Sequence, residues 1–180
     1  THAGRSDSTL EHIDVAVNKI DQLKLAEHIA ACVIDAPALR TLHLAATGLT
    51  TETLMPLLKA ARDSRSLKHL HLDGHPKAKR WLRLVAKLVH QSQSGIEEVA
   101  LRNCNVTEDD ALFFVDYFRT NLGKCSLRLL RLERNKALEK AATRENIAAM
   151  VSSVRRVNMH FRTKFTFVPD PEQVAGLNKK

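Results

Sequence analysis

A chain of 180 residues with 44% hydrophobic residues is long enough for one domain with a continuous core, and an aromatic content of 4% means that core must be built from Leu, Val, Ala and Ile. No apolar run reaches the roughly 18 residues of a membrane-spanning helix, and three cysteines, Cys32, Cys104 and Cys125, lack metal-ligand spacing and are odd in number, which argues against insertion into a bilayer and against a disulfide framework. The formal charge of +8 is uneven, since residues 1–60 hold 5 Lys+Arg against 7 Asp+Glu, so the remainder forms a basic end able to attract an acidic protein or a phosphate backbone.

Residues 1–9 are polar and small and are expected to form a flexible lead-in. No apolar signal segment is seen there, and the start at Thr1 without a methionine suggests a processed product or part of something longer. A first unit follows: Leu10, Ile13, Val15 and Asn18 mark a strand over His12 to Ala16. A helix is expected near Gln22 to Ile34, with Leu23, Ala26, Ile29, Ala30 and Val33 facing inward until Pro37 forces a turn. The second unit carries Leu39, Leu42, Leu44 and Leu49, then Thr50 or Thr51 as the cap of a helix reaching about Asp63.

The third unit, from Leu67, Leu70 and Leu72, has an irregular turn in which Lys77 stands where an apolar residue is expected. Its helix should bury Trp81, Leu82, Val85, Leu88 and Val89 and present Lys77, Lys79, Arg80, Arg83 and Lys87 outward. The fourth reads IEEVALRNCNV, with Ile96, Val99, Leu101, Cys104 and Val106, followed by Thr107 as an N-cap. Glu108, Asp109 and Asp110 then fall where the helix dipole favours negative charge. The fifth carries Leu127, Leu130, Leu132, Asn135 and Leu138, with Thr143 as a helix cap. Val154, Val157 and Met159 are expected to begin a sixth, and residues 161–180 to form an end-cap and tail. From first apolar position to first apolar position the spacings are 29, 28, 29, 31 and 27 residues.

That spacing, and segments such as LRTLHLAATGLT, IEEVALRNCNVTEDD and LRLLRLERNKAL, resemble the ribonuclease-inhibitor-like subfamily of leucine-rich repeats over residues 10–160. The resemblance implies an α/β leucine-rich-repeat solenoid of five to six repeats of about 28 residues. In it, a parallel β-sheet would line a curved, concave face and α-helices the convex face. It further implies protein binding through a variable surface, and its members include ribonuclease inhibitors, GTPase activators, actin-filament cappers and immune sensors. The pI near 9.7 and the low cysteine content set this chain apart from an inhibitor of basic ribonucleases, and its Lys179–Lys180 end from activators with an acidic tail. The final strand VRRVNMHF is also similar to pointed-end actin cappers, although one strand is too little to choose that reading.

In such a sheet alternate residues share a face. One outward column would read His12, Thr41, His69, Glu98, Leu129, Arg156, and the next Asp14, His43, His71, Ala100, Arg131, Asn158. His12, Asp14, His43, His69, His71, Glu98, Arg102, Arg131 and Arg156 are therefore the expected protein-contacting residues. Several imidazoles beside carboxylates suit a pH-sensitive contact. The same residue types can ligate zinc, but the cluster is read as a polar binding face with no metal and no cofactor. Lys77, Lys79, Arg80, Arg83, Lys87, Arg128, Arg134 and Lys136 are the candidates for contact with phosphates, although exposed aromatic platforms for single-stranded RNA are nearly absent.

No nucleophile stands beside an oriented base, which points away from an enzyme and a small-molecule substrate. The expected function is a non-enzymatic scaffold or adaptor in a larger multiprotein assembly, in a reducing compartment such as cytoplasm or an organelle matrix. The alternatives are a subunit of a ribonucleoprotein such as a ribosome and, more weakly, a GTPase activator. Asn18, Thr47, His75, Cys104 and Asn135 share one position after each strand, where a side chain satisfies backbone groups of the turn.

Overall fold

A computed structural model of the chain describes residues 9–76, 81–121, 126–136 and 166–168, together with Glu145. Strands and helices alternate as β1 (His12–Asp14), α1 (Leu23–Asp35), β2 (Thr41–His43), α2 (Thr51–Asp63), β3 (His69–His71), α3 (Trp81–Gln91), β4 (Glu98–Ala100), α4 (Glu108–Thr120) and β5 (Leu129–Arg131), with β6 at Thr166–Val168. All the strands pair in parallel in the order β1 to β6. The apolar middle residue of each strand from β2 to β5 points inward: Leu42, Leu70, Val99 and Leu130 are buried and stand in register from one strand to the next.

The residues before and after each strand extend this core. Leu39, Leu67, Ile96 and Leu127 form one buried row, and Leu44, Leu72, Leu101 and Leu132 another. Helices close the core from one side, α1 against α2, α2 against α3 and α3 against α4, and they contribute Ala26, Val33, Leu54, Leu57, Trp81, Val85 and Phe114 to it. Two helix starts follow the expected chemistry. The amide of Thr53 donates to Thr50 Oγ1 while the Thr50 amide donates to Thr53 Oγ1, and the amide of Asp110 donates to Thr107 Oγ1. Helix α1 has no side-chain cap, and Leu23, expected to face inward, is exposed along with Leu25 and Ile34. None of the helices among the described residues is long and apolar enough to cross a membrane.

The expected leucine-rich-repeat solenoid of five to six repeats is corrected by this architecture. The described residues form an α/β fold, a five-strand parallel run from β1 to β5 with four helices, and the sixth strand does not come from a sixth unit. Val154, Val157 and Met159 lie outside the described residues; instead Thr166 pairs with Leu129 and Val168 with Arg131. A return distance near 28 residues requires only that each strand be laid beside the last. An open edge accepts any segment that offers backbone donors and acceptors, so periodicity does not dictate which one closes the series.

The turns between strand and helix bury backbone groups that need partners, and one side chain in each supplies them. Asn18 Nδ2 donates to the Val15 carbonyl, Thr47 Oγ1 to that of Leu44, and Asn135 Nδ2 to that of Leu132, always three residues back, and His75 Nδ1 lies 3.0 Å from the Leu72 carbonyl. Asn135 does most, for its Nδ2 also donates to the Leu101 carbonyl while its Oδ1 accepts from the amides of Cys104 and Val106. The thiol of Cys104, pushed up to about 12 by burial, donates to the Leu72 carbonyl. His75 also packs against Trp81, the rings tilted by 39° with 5.0 Å between their centres, in a turn where its neighbours use smaller groups.

Each turn places a residue at the same position in the left-handed region: Val17, Ala46, Gly74, Asn103 and Arg134 have φ of 62°, 53°, 74°, 53° and 60°, and Gly48 and Asn105 add a second in their turns. Gly74 and Asn103 tolerate that conformation; a β-branched valine does not. Val17 is 83% exposed, so its replacement removes no packing. Val17→Asn is expected to raise stability by up to about 1 kcal/mol in urea unfolding, through relief of the left-handed strain. Asn135→Ala is expected to lower it by about 3 kcal/mol in the same measurement, because two buried amides and two carbonyls lose a partner together.

Candidate functional site

The register carries polar residues to the face of the sheet turned away from the helices. One column runs His12, Thr41, His69, Glu98, Leu129 and another Asp14, His43, His71, Ala100, Arg131. Both columns match the expected positions through β5. At the sixth strand Thr166 and Val168 occupy the places expected for Arg156 and Asn158, and Arg156 lies outside the described residues. A third column, which the sequence reading represented by Arg102 alone, continues beyond the strand ends. The amides of Ala46, Gly74 and Asn103 donate to the carbonyls of Asp73, Arg102 and Glu133, holding Ala45, Asp73, Arg102 and Glu133 abreast.

Charges on this face compensate one another in a chain. His43 Nδ1 lies 3.2 Å from Asp14 Oδ2, and the His43 and His71 rings meet edge to face at 5.2 Å. His71 Nε2 lies 3.8 Å from Glu98 Oε1, and Arg131 Nε donates to that same oxygen at 2.7 Å while reaching Glu133 Oε1 at 3.7 Å. In the third column Asp73 is buried and accepts from the Arg102 amide at 2.6 Å and from Arg102 Nη2 at 2.8 Å. His69 Nδ1 sits 3.4 Å from Thr41 Oγ1, and His12, at the open edge, lies 3.9 Å from Glu11. A cleft of about 530 Å³ opens over the third column, lined by His43, Asp73, Gly74, Arg102, Glu133 and Arg134 among others.

Burial holds the His71 imidazolium at a disadvantage, so its pKa falls below the ordinary 6.5 although Glu98 pulls the other way. The Asp14 carboxyl is lowered, first by the hydrogen bond from the Ala16 amide and then by His43. Asp73 and Glu133 were missed in the sequence because they follow the strand pattern by two residues. Reading HLHLD and LRLLRLE one step further places both.

The expected phosphate-contacting set is divided. Lys77, Lys79 and Arg80 lie outside the described residues. Arg83 is tied to Asp110 at 2.9 Å and stacks over Phe113 at 5.0 Å, while Arg128 lies 3.5 Å from Glu97. Lys87 on α3 and Lys136 after β5 are exposed, and Arg134 lines the cleft. Paired guanidinium groups release fewer counterions on meeting a nucleic acid, which weakens this surface as a phosphate track.

No protein-family model matches the chain, and no curated protein does. Solved structures do. The chain is similar to leiomodin-1 actin-binding site 2, at a TM-score of 0.63 and 13% identity, covering 87% of this chain and 87% of that one. It is also similar to the Caenorhabditis elegans tropomodulin C-terminal domain, at a TM-score of 0.59 and 16% identity, covering 86% of this chain and 90% of that one. At these identities the likeness is one of fold. It replaces the ribonuclease-inhibitor-like leucine-rich-repeat subfamily inferred from the sequence: the strand spacing of this chain is carried by an α/β domain similar to that of tropomodulin, so the spacing alone did not identify the subfamily.

The lowered pKa of His71 fixes the sign of a pH dependence. The unfolded chain takes up a proton near pH 6.5, before the folded chain does, so stability falls as pH drops through that value. In denaturant unfolding the protein should lose stability between about pH 7.5 and 5, and His71→Gln should lose less over the same interval.

Proposed function

We propose that this chain is a non-enzymatic protein-binding domain that takes its partner on the outward face of the sheet, with actin the first partner to test. What supports the reading is the pattern of that face. Asp14, His43, His71, Glu98 and Arg131 form a run of carboxylates, imidazoles and a guanidinium, exposed at Asp14 and partly buried beyond it, already held in place by its own contacts. Such a run fits a protein surface of complementary pattern, where register and sign both matter, better than a uniform polyanion. The similarity to leiomodin-1 actin-binding site 2 supports actin as the first partner to test. A place in a larger assembly follows naturally for a binding domain. The ribonucleoprotein reading is weaker because Arg83, Arg128 and Arg131 are each engaged with a carboxylate.

Binding is tested by co-sedimentation with filamentous actin and by native gel shift with monomeric actin, each at two salt concentrations. Arg131→Ala is expected to weaken the complex about tenfold, the effect of removing a central charged anchor, while His28→Gln on α1 should leave it unchanged. No binding to either form removes actin as the partner. Binding that is indifferent to Arg131→Ala removes the sheet face.

A further inference from the structure

We infer that His43, His71 and Asp73 form a binding site for a divalent cation of the zinc class. One ligand atom from each of the three lies within 4.8 Å of the others. Parallel pairing sets His43 opposite His71, and Asp73 follows two residues later on the chain that forms β3. A tetrahedral ion with bonds near 2.0–2.1 Å needs its ligand atoms about 3.3 Å apart. Closing from the observed separations takes rotation of two imidazoles, and both have room, with side chains 32% and 23% exposed. Metal selection by two imidazoles and one carboxylate favours zinc and its transition-metal neighbours over magnesium or calcium.

The surroundings are those of a supported ligand set. Asp14 engages His43 at Nδ1, which leaves the Nε2 lone pair for a cation, the arrangement in which a carboxylate orients a metal-bound histidine. Asp73 is fixed by the Arg102 amide and guanidinium, yet each of its oxygens retains a second lone pair. A second, independent observation comes from Glu133. It is 9% exposed, lines the same cleft as His43 and Asp73, and its Oε2 is buried without a hydrogen-bond partner. An orphaned carboxylate oxygen is costly, and water on a cation in the cleft would supply its donor. Three protein ligands leave a fourth position for that water. Arg102 opposes the ion, so the affinity is set below that of a closed structural site.

Of the residues the sequence grouped with these histidines, His69 is directed toward Thr41, while Glu98 lies 3.8 Å from His71 Nε2 with the same oxygen engaged by Arg131. Asp73 is the ligand that the sequence grouping lacked.

The test is calorimetric titration of the whole chain with zinc chloride, paired with cobalt(II) loading read by its visible absorption. One equivalent with a tetrahedral cobalt spectrum is expected for the wild type and for His28→Gln. His43→Gln and His71→Gln should each bind at least about tenfold more weakly and lose the cobalt bands, the usual range for deleting part of a ligand set and its support. Thermal unfolding without metal establishes that each variant is folded. Should His71→Gln fail that check, His43→Gln, the more exposed of the two, decides the matter. Absence of a zinc equivalent in the wild type, undiminished binding in His43→Gln, or displacement of cobalt by an equal concentration of magnesium would each overturn the site.

Discussion

The chain turns from strand to helix again and again, and each time it buries carbonyls and amides that a sheet or helix would have paired. The side chain that pairs them is the constraint on which the rest depends. Asn135 shows it in full, bridging the turn after β5 to the turn after β4 through three hydrogen bonds and closing its own turn with a fourth. Thr47 and Asn18 meet the same need with fewer atoms, and Cys104 meets it with a thiol. The contacts of Asn135, of Cys104 and between Thr47 and His75 reach the neighbouring turn and so hold successive turns abreast. The outward columns inherit their alignment from them.

Alignment turns a list of polar residues into an electrostatic surface. Half-buried charges pay a desolvation cost, which a partner at short range offsets only when geometry is good. Arg131 and Glu98 at 2.7 Å, and Arg102 with both oxygens of Asp73, have that geometry. Arg128 and Glu97 at 3.5 Å, with the arginine largely exposed, contribute little. Local order on the outward face therefore resides in the columns through β3 to β5 rather than at the open β1 edge, where His12 and Glu11 are loosely apposed.

Much of the fold was legible where local chemistry and burial agree. Thr50 and Thr107 cap helices because hydroxyls accept from first-turn amides, and the inward aliphatic residues of β2 to β5, Leu42, Leu70, Val99 and Leu130, recur from unit to unit. The first two columns of the outward face follow from the same period. Three things were not legible. Asp73 and Glu133 sit past the strand ends, where alternation persists only because backbone bonds continue the ladder. The segment that supplies β6 is selected by tertiary pairing, for which Phe165 to Val168 offers no stronger pattern than Val154 to Met159. Membership of a particular repeat family is a matter of global shape, which a spacing of about 28 residues does not specify.

Cys104 carries a consequence of another kind. Its sulfur is fully buried, its thiol is pushed up to about 12, and it lies in the turn that Asn135 ties to the next strand. Nucleophilic attack requires the thiolate, so in the closed molecule this sulfur is chemically silent. Exposed Cys32 on α1 has no such protection. Among the described residues these two thiols make an internal pair of reporters: the fast one reads reagent concentration, and the slow one counts the moments when the turn between β4 and α4 comes apart.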